Sequence, residues 1–251
     1  MERNEVEDIL GEFDFRSYTG KYGTIPYRIH IPDGGAKGAP VLMFMHGAGE
    51  RGTDNNLQLR AAINVFAKCN PEVKEAVVIA PQCPMTTEDG KEGFWVEIPW
   101  INGNYDVTLV AESWELKTVV ELLKKEIAEL EADADRVYVM GLSMGGFATW
   151  DLLIRHGDLF AAGMPICGAA DPNYAEKLKD IPIRTFHGEA DDTVPVSGTR
   201  EMARVIKAAG PRDFEYIEFP GVNHWSWDPA CSYPGIGAWM FSKRLSDRIR
   251  K

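Results

Sequence analysis

The chain has 251 residues, 45% of them hydrophobic and 26% charged, which suits a single domain, residues 1–251, around one sizeable core. Its formal net charge of −11 argues against nucleic acid, which needs a positive surface to replace counterions, and against docking on an anionic membrane. The acidic start MERNEVEDILGE carries no apolar secretory run, and no stretch approaches a membrane span, so a cytoplasmic location is expected.

Residues 1–31 predict an N-terminal hairpin, with alternating apolar positions over Phe13–Tyr18 and Ile25–Ile31 separated by Gly20 and Gly23. The run VLMFMHG from Val41 and the segment Glu75–Ala80 read as strands buried on both faces. Residues 83–108 hold Phe94, Trp95, Trp100 and Tyr105 without a period, which predicts an ordered aromatic-rich loop over a pocket. A long helix follows over Leu109–Leu130, then a strand over Arg136–Gly141 and a helix over Gly145–Arg155. Further strands are expected over Ala161–Cys167, Ile181–Phe186 and Phe214–Phe219. Helices are expected over Tyr174–Leu178, Val196–Ala209 and Ile236–Ile249. Strands alternating with helices mean crossover units, hence a mostly parallel sheet with helices on both faces and the leading hairpin antiparallel at one edge.

The chemistry begins at Gly141-Leu-Ser-Met-Gly145, a G-x-S-x-G match between a strand and a helix. A nucleophilic serine there sits on a tight turn that lifts its Oγ clear, with the following helix N-terminus facing any negative charge that develops. Such a hydroxyl needs a general base, and the chain has five histidines: His30, His46, His156, His187 and His224. On sheets of this kind the acid and then the base follow the serine along the chain. His156 falls at the far end of the nucleophile helix and reads as a surface or C-terminal dipole partner. His187 ends a buried strand. His224 lies in the loop PGVNHWSW, which leaves a strand at the same sheet edge as Ser143, and is the expected base. The acid belongs to HGEADDTVP, where Asp191 is the choice and Asp192 the alternate. Oxyanion donors are expected from the N–H of Met144 and from the loop after VLMFMH, at Ala48, with Gly49 possible in its place. His46 reads as a brace for that loop. The four cysteines, Cys69, Cys83, Cys167 and Cys231, form no C-x-x-C pair and read as buried free thiols, with no metal site.

The stretches HGAGERGTDN, APQCP, DADRVYVMGLSMGGFATWD, PICGAADP, FHGEADDTVPV and NHWSWDPA occur in one order from about residue 40 to 230. In them the chain resembles the dienelactone-hydrolase and feruloyl-esterase-like branch of the α/β-hydrolases, including esterases labelled predicted peptidases. The resemblance implies an α/β-hydrolase fold and ester hydrolysis through a Ser-His-Asp acyl-enzyme, with no cofactor and a small-molecule ester as substrate. It also implies substrate-binding positions at Gln82, Trp95, Trp225 and Trp227. Dienelactone hydrolases proper use cysteine where this chain has Ser143, which shifts the balance toward esters. The short span from Ser143 to Asp191 leaves no room for a large cap domain, so an open site for short-chain or aromatic acyl groups is expected. Competing readings are a small serine peptidase or acyltransferase on the same fold, and a ligand-binding protein without catalysis.

Overall fold

The computed structural model describes residues 13–86, 90–97 and 110–249. The eight strands of its sheet are β1 (Asp14–Thr19), β2 (Thr24–His30), β3 (Val41–Met45), β4 (Val77–Pro81), β5 (Val137–Leu142), β6 (Ala162–Ile166), β7 (Ile183–Gly188) and β8 (Phe214–Phe219), in the order β1-β2-β4-β3-β5-β6-β7-β8. β1 and β2 form the expected antiparallel hairpin, with Gly20 N–H donating to Gly23 O across the turn at 2.9 Å. β2 joins β4 antiparallel, and every later pairing is parallel.

The two-residue period of the strands sorts their side chains between two cores. Val41, Met43 and Met45 of β3, with Val137 and Val139 of β5, face one cluster; Leu42 and Phe44, with Tyr138 and Met140, face the other. The first core is closed by α2 (Trp114–Glu129), α3 (Met144–His156), α4 (Ala175–Leu178) and α5 (Val196–Ala208), which contribute Leu116, Phe147, Leu178 and Met202. The second is closed by α1 (Ala62–Cys69), α6 (Trp227–Cys231) and α7 (Ile236–Phe241), which contribute Phe66, Ala230 and Trp239. Both faces of the central strands β3 to β6 are therefore buried, which is why they read as continuous apolar runs.

Three elements differ from the sequence reading. Helix α1 was not expected, because AINVFAKC is short, rich in β-branched and aromatic residues, and begins at Ala61 without a side-chain cap. Its stability comes from burying Ile63 and Phe66 against the second core. Helix α6, similarly short, was also missed. The single last helix expected over Ile236–Ile249 is two, α7 and α8 (Leu245–Ile249), with a break at residues 242–244 where Tyr138 O–H donates to Lys243 O at 2.9 Å. Of the expected aromatic loop 83–108, residues 83–86 and 90–97 are described; Trp100 and Tyr105 lie outside the described residues, as do residues 1–12 of the hairpin segment.

Candidate active site

The carboxyl ends of β3, β5, β7 and β8 lie on one edge of the sheet, so the four loops that leave them converge. Ser143 sits between β5 and α3 at φ 52°, ψ −120°, a left-handed conformation that a serine adopts only when its surroundings hold it. Its N–H donates to Ile166 O of the neighbouring strand at 3.0 Å. The turn closes because the chain approaches itself at two glycines. A Cβ on Gly145 would lie 2.0 Å from Met45 O, and one on Gly146 would lie 2.2 Å from Ile166 O. Gly145→Ala is therefore expected to cost about 3 kcal/mol or more, read as a lowered denaturant midpoint, since backbone on both sides must move.

The three residues expected to form a triad are brought together. Ser143 Oγ–H donates to His224 Nε2 at 3.0 Å, and His224 Nδ1–H donates to Asp191 Oδ2 at 2.8 Å. The other oxygen, Asp191 Oδ1, accepts the N–H groups of Thr193 at 2.9 Å and Val194 at 2.8 Å, an Asx turn that fixes the carboxylate's rotation. Burial alone would raise the Asp191 pKa, but hydrogen bonds from His187, His224 and these two N–H groups hold it well below the usual carboxylate range. Asp192 is exposed and accepts the Thr193 hydroxyl at 3.2 Å. His156 is paired with Glu112 at 2.6 Å, at the far end of α3 from the serine.

Ala48 and Met144 stand at the first positions of a 3₁₀ turn and of α3, where a backbone N–H has no intrahelical acceptor. Met144 directly follows the serine, and Ala48 lines the same cavity as Ser143. His46 braces this loop as expected: Nδ1–H donates to Gly47 O at 2.6 Å, and Nε2 accepts from Cys83 N at 2.9 Å. Burial pulls its pKa down to about 4, so the ring stays neutral and serves as structure. Arg51 ties the loop to residues 92–94 through Glu92 at 3.0 Å and the face of Phe94.

Two of the expected substrate-binding residues do not reach the cavity. Gln82 is fully buried, its Oε1 accepting from Asn55 N at 2.7 Å and its Nε2 donating to Glu50 O at 3.0 Å. Trp95 is also fully buried; its Nε1–H donates to His46 O at 3.1 Å and its ring packs on the His46 ring. Both hold the loop after β3 from behind. The other two are placed as expected. Trp227 meets His224 edge-on at 5.5 Å, and Trp225, 65% exposed, leans on Trp227 at 4.8 Å. With Ala61, Val65 and Leu142 they line a cavity of about 580 Å³ onto which Ser143 and His224 open. Arg60 and Asp228 stand on the same lining.

Cys83, Cys167 and Cys231 are buried thiols, while Cys69 is exposed. Cys167 Sγ lies beneath the serine, taking Ser143 N–H at 3.3 Å, and sits with Asp191 and His224 ligand atoms within 4.8 Å of one another. Burial pushes this thiol up to about 12, and Asp191 and His224 are bonded to each other, so the trio is poorly suited to a metal, which wants a thiolate and free lone pairs.

The family model described as phospholipase/carboxylesterase matches residues 28–230, a span that contains all four converging loops. The chain belongs to the phospholipase/carboxylesterase family. It is accordingly an ester-bond hydrolase, with the α/β-hydrolase fold that the sequence motifs implied. Among curated proteins similar to this chain, the acyl-protein thioesterase 1 of Gibberella zeae is 24% identical over 204 residues, covering 73% of this chain and 83% of its own. A solved thermostable esterase superposes with a TM-score of 0.81 at 33% identity over 94% of this chain, which spans 64% of that protein's length. A solved ferulic acid esterase superposes with a TM-score of 0.68 at 15% identity over 92% of this chain and 98% of its own.

Proposed function

We propose that this protein is a carboxylesterase that hydrolyses short-chain or aromatic esters through an acyl-enzyme on Ser143. The observation that carries the reading is the unbroken relay Ser143 Oγ–His224 Nε2–His224 Nδ1–Asp191 Oδ2, opening on a cavity with an apolar floor. Ser143 Oγ attacks the ester carbonyl carbon as its proton passes to His224 Nε2. The carbonyl oxygen becomes an oxyanion, for which the Ala48 and Met144 N–H groups are the donors. The tetrahedral species collapses by breaking the ester C–O bond, and His224 returns the proton to the departing alkoxide. Water then repeats the sequence on the acyl-serine, giving the carboxylic acid and restoring the Ser143 hydroxyl.

The cavity supports the substrate class. Its volume of about 580 Å³ suits a drug-sized acyl group, and Ala61, Val65 and Leu142 offer no hydrogen bonds to it. Trp225 presents an exposed indole beside the base, a flat surface for a ring. Between β6 and β7 the chain holds only a short 3₁₀ turn and α4, which build no lid over the mouth. The intact relay opposes a purely ligand-binding role.

A p-nitrophenyl ester series from acetate to palmitate, with methyl ferulate, tests the reading. Turnover is expected for acetate, butyrate or ferulate and is expected to fall steeply at palmitate; folded protein that turns over no ester would overturn it. Trp225→Ala is expected to raise KM for ferulate about tenfold while leaving acetate kinetics nearly unchanged, in line with the loss of one aromatic contact.

A further inference from the structure

Behind the Asp191 carboxylate lies a second histidine that the relay does not use. His187, the fifth residue of β7, is fully buried, as is the Asp191 side chain it faces. Its Nε2 is 3.1 Å from Asp191 Oδ2, the oxygen that also receives His224. The same Nε2 is 3.0 Å from Val194 O, and Nδ1 is 2.7 Å from Thr199 Oγ1.

The partners fix where the protons are. A carbonyl oxygen only accepts, so Nε2 carries a proton toward Val194 O. Thr199 has one hydroxyl proton, and it is committed to Gly168 O at 2.6 Å, another acceptor. The Thr199 oxygen therefore receives a proton from His187, and Nδ1 is a donor as well. Both His187 nitrogens thus face oxygen acceptors, and the ring lies in contact with the Asp191 carboxylate.

We propose that His187 is a positioning residue of the triad, a buried cation that clamps Asp191 from the side opposite His224 and takes up part of the carboxylate's charge. The inference rests on reading Ser143, His224 and Asp191 as the catalytic relay. Two effects follow. The clamp holds Oδ2 where His224 Nδ1–H needs it, adding a third fixed partner to the Asx turn. It also weakens the pull of Asp191 on the His224 imidazolium that forms during acyl transfer, because one cation already shares that carboxylate. The enzyme then stays active to lower pH than a lone Asp–His pair would allow.

Other charged or titratable groups around His187 are few. Glu218, its register partner on β8, is engaged by Arg200 from α5 and by Tyr216. Cys167, after β6, is a buried neutral thiol, and Asp192 points to solvent. Asp191 is therefore the carboxylate that His187 contacts directly among the described residues.

His187→Gln keeps a donor toward Val194 and Asp191 but removes the charge. It is expected to leave KM unchanged and to move the acid limb of the kcat/KM pH profile up by about one pH unit, the size of a single neighbouring charge. An unmoved limb in folded His187→Gln would overturn the proposal. In case that variant fails to fold, the imidazole ¹⁵N–¹H spectrum of the wild type provides a test that needs no substitution. Two protected N–H signals close to Thr199 and Val194 are expected from His187, and a single one would overturn the proposal. That spectrum is independent of turnover, so persistence of activity in Ser143→Ala would sink the triad reading without touching it.

Discussion

Ser143→Ala is expected to lower kcat for p-nitrophenyl butyrate by about six orders of magnitude, with the far-ultraviolet spectrum and thermal midpoint unchanged. The size follows from the role proposed for the hydroxyl: without it no acyl-enzyme forms, and the Ala48 and Met144 N–H groups can only assist direct attack by water. The fold should survive because the Ser143 Oγ makes one hydrogen bond, to His224, while the turn itself is held by the Ser143 N–H to Ile166 O and by the close approach at Gly145. His224→Ala should cost about as much, and the double variant hardly more than either, because residues acting as a unit lose their effect together. A Ser143→Ala protein that kept a hundredth of wild-type turnover, or a double variant whose losses multiplied, would mean that the two side chains do not act as one device.

That Ser143, His224 and Asp191 meet was legible in the sequence, for a physical reason. A parallel sheet brings its catalytic loops to one edge, so strand order alone converts positions in the chain into neighbours in space. Counting strands placed His224 beside Ser143, although 81 residues separate them. What could not be read was which aromatic residues face the cavity. Trp95 and Trp225 both sit in loops near the site, yet one is fully buried and the other 65% exposed. The difference lies in the Trp95 indole N–H, which finds the His46 carbonyl, a tertiary contact with no local signature. Helix α1 was missed for the same kind of reason: its own propensities are poor, and the partner that stabilises it, α6, comes some 160 residues later. His187 did leave a trace. The four-residue spacing from His187 to Asp191 across the turn after β7 brings imidazole and carboxylate together, but only the structure shows the Thr199 hydroxyl at its second nitrogen.

Asp191→Asn is expected to lower kcat about 10⁴-fold, while Asp192→Asn changes it about twofold or less. The argument is one of donors and acceptors. Asp191 Oδ1 accepts two backbone N–H groups, so an asparagine at this position must keep its carbonyl oxygen there. Its amide NH₂ then takes the place of Oδ2 and points a donor at His224 Nδ1. To avoid a donor facing a donor, His224 adopts the other tautomer, with its proton on Nε2, where it can no longer accept the Ser143 proton. Turning the amide round would only move the clash to Thr193 and Val194. Asp192, exposed and bonded to one hydroxyl, has no such role. Stability should carry the same signature in pH. Because the folded Asp191 carboxyl is held below its unfolded range, its ionised form contributes stability above about pH 4, and that contribution is lost as pH falls through the folded value. The gap in unfolding free energy between wild type and Asp191→Asn should therefore be widest near neutrality and close on acidification. A gap that stayed constant down to pH 2 would mean that the carboxylate's charge is not what its four donors hold.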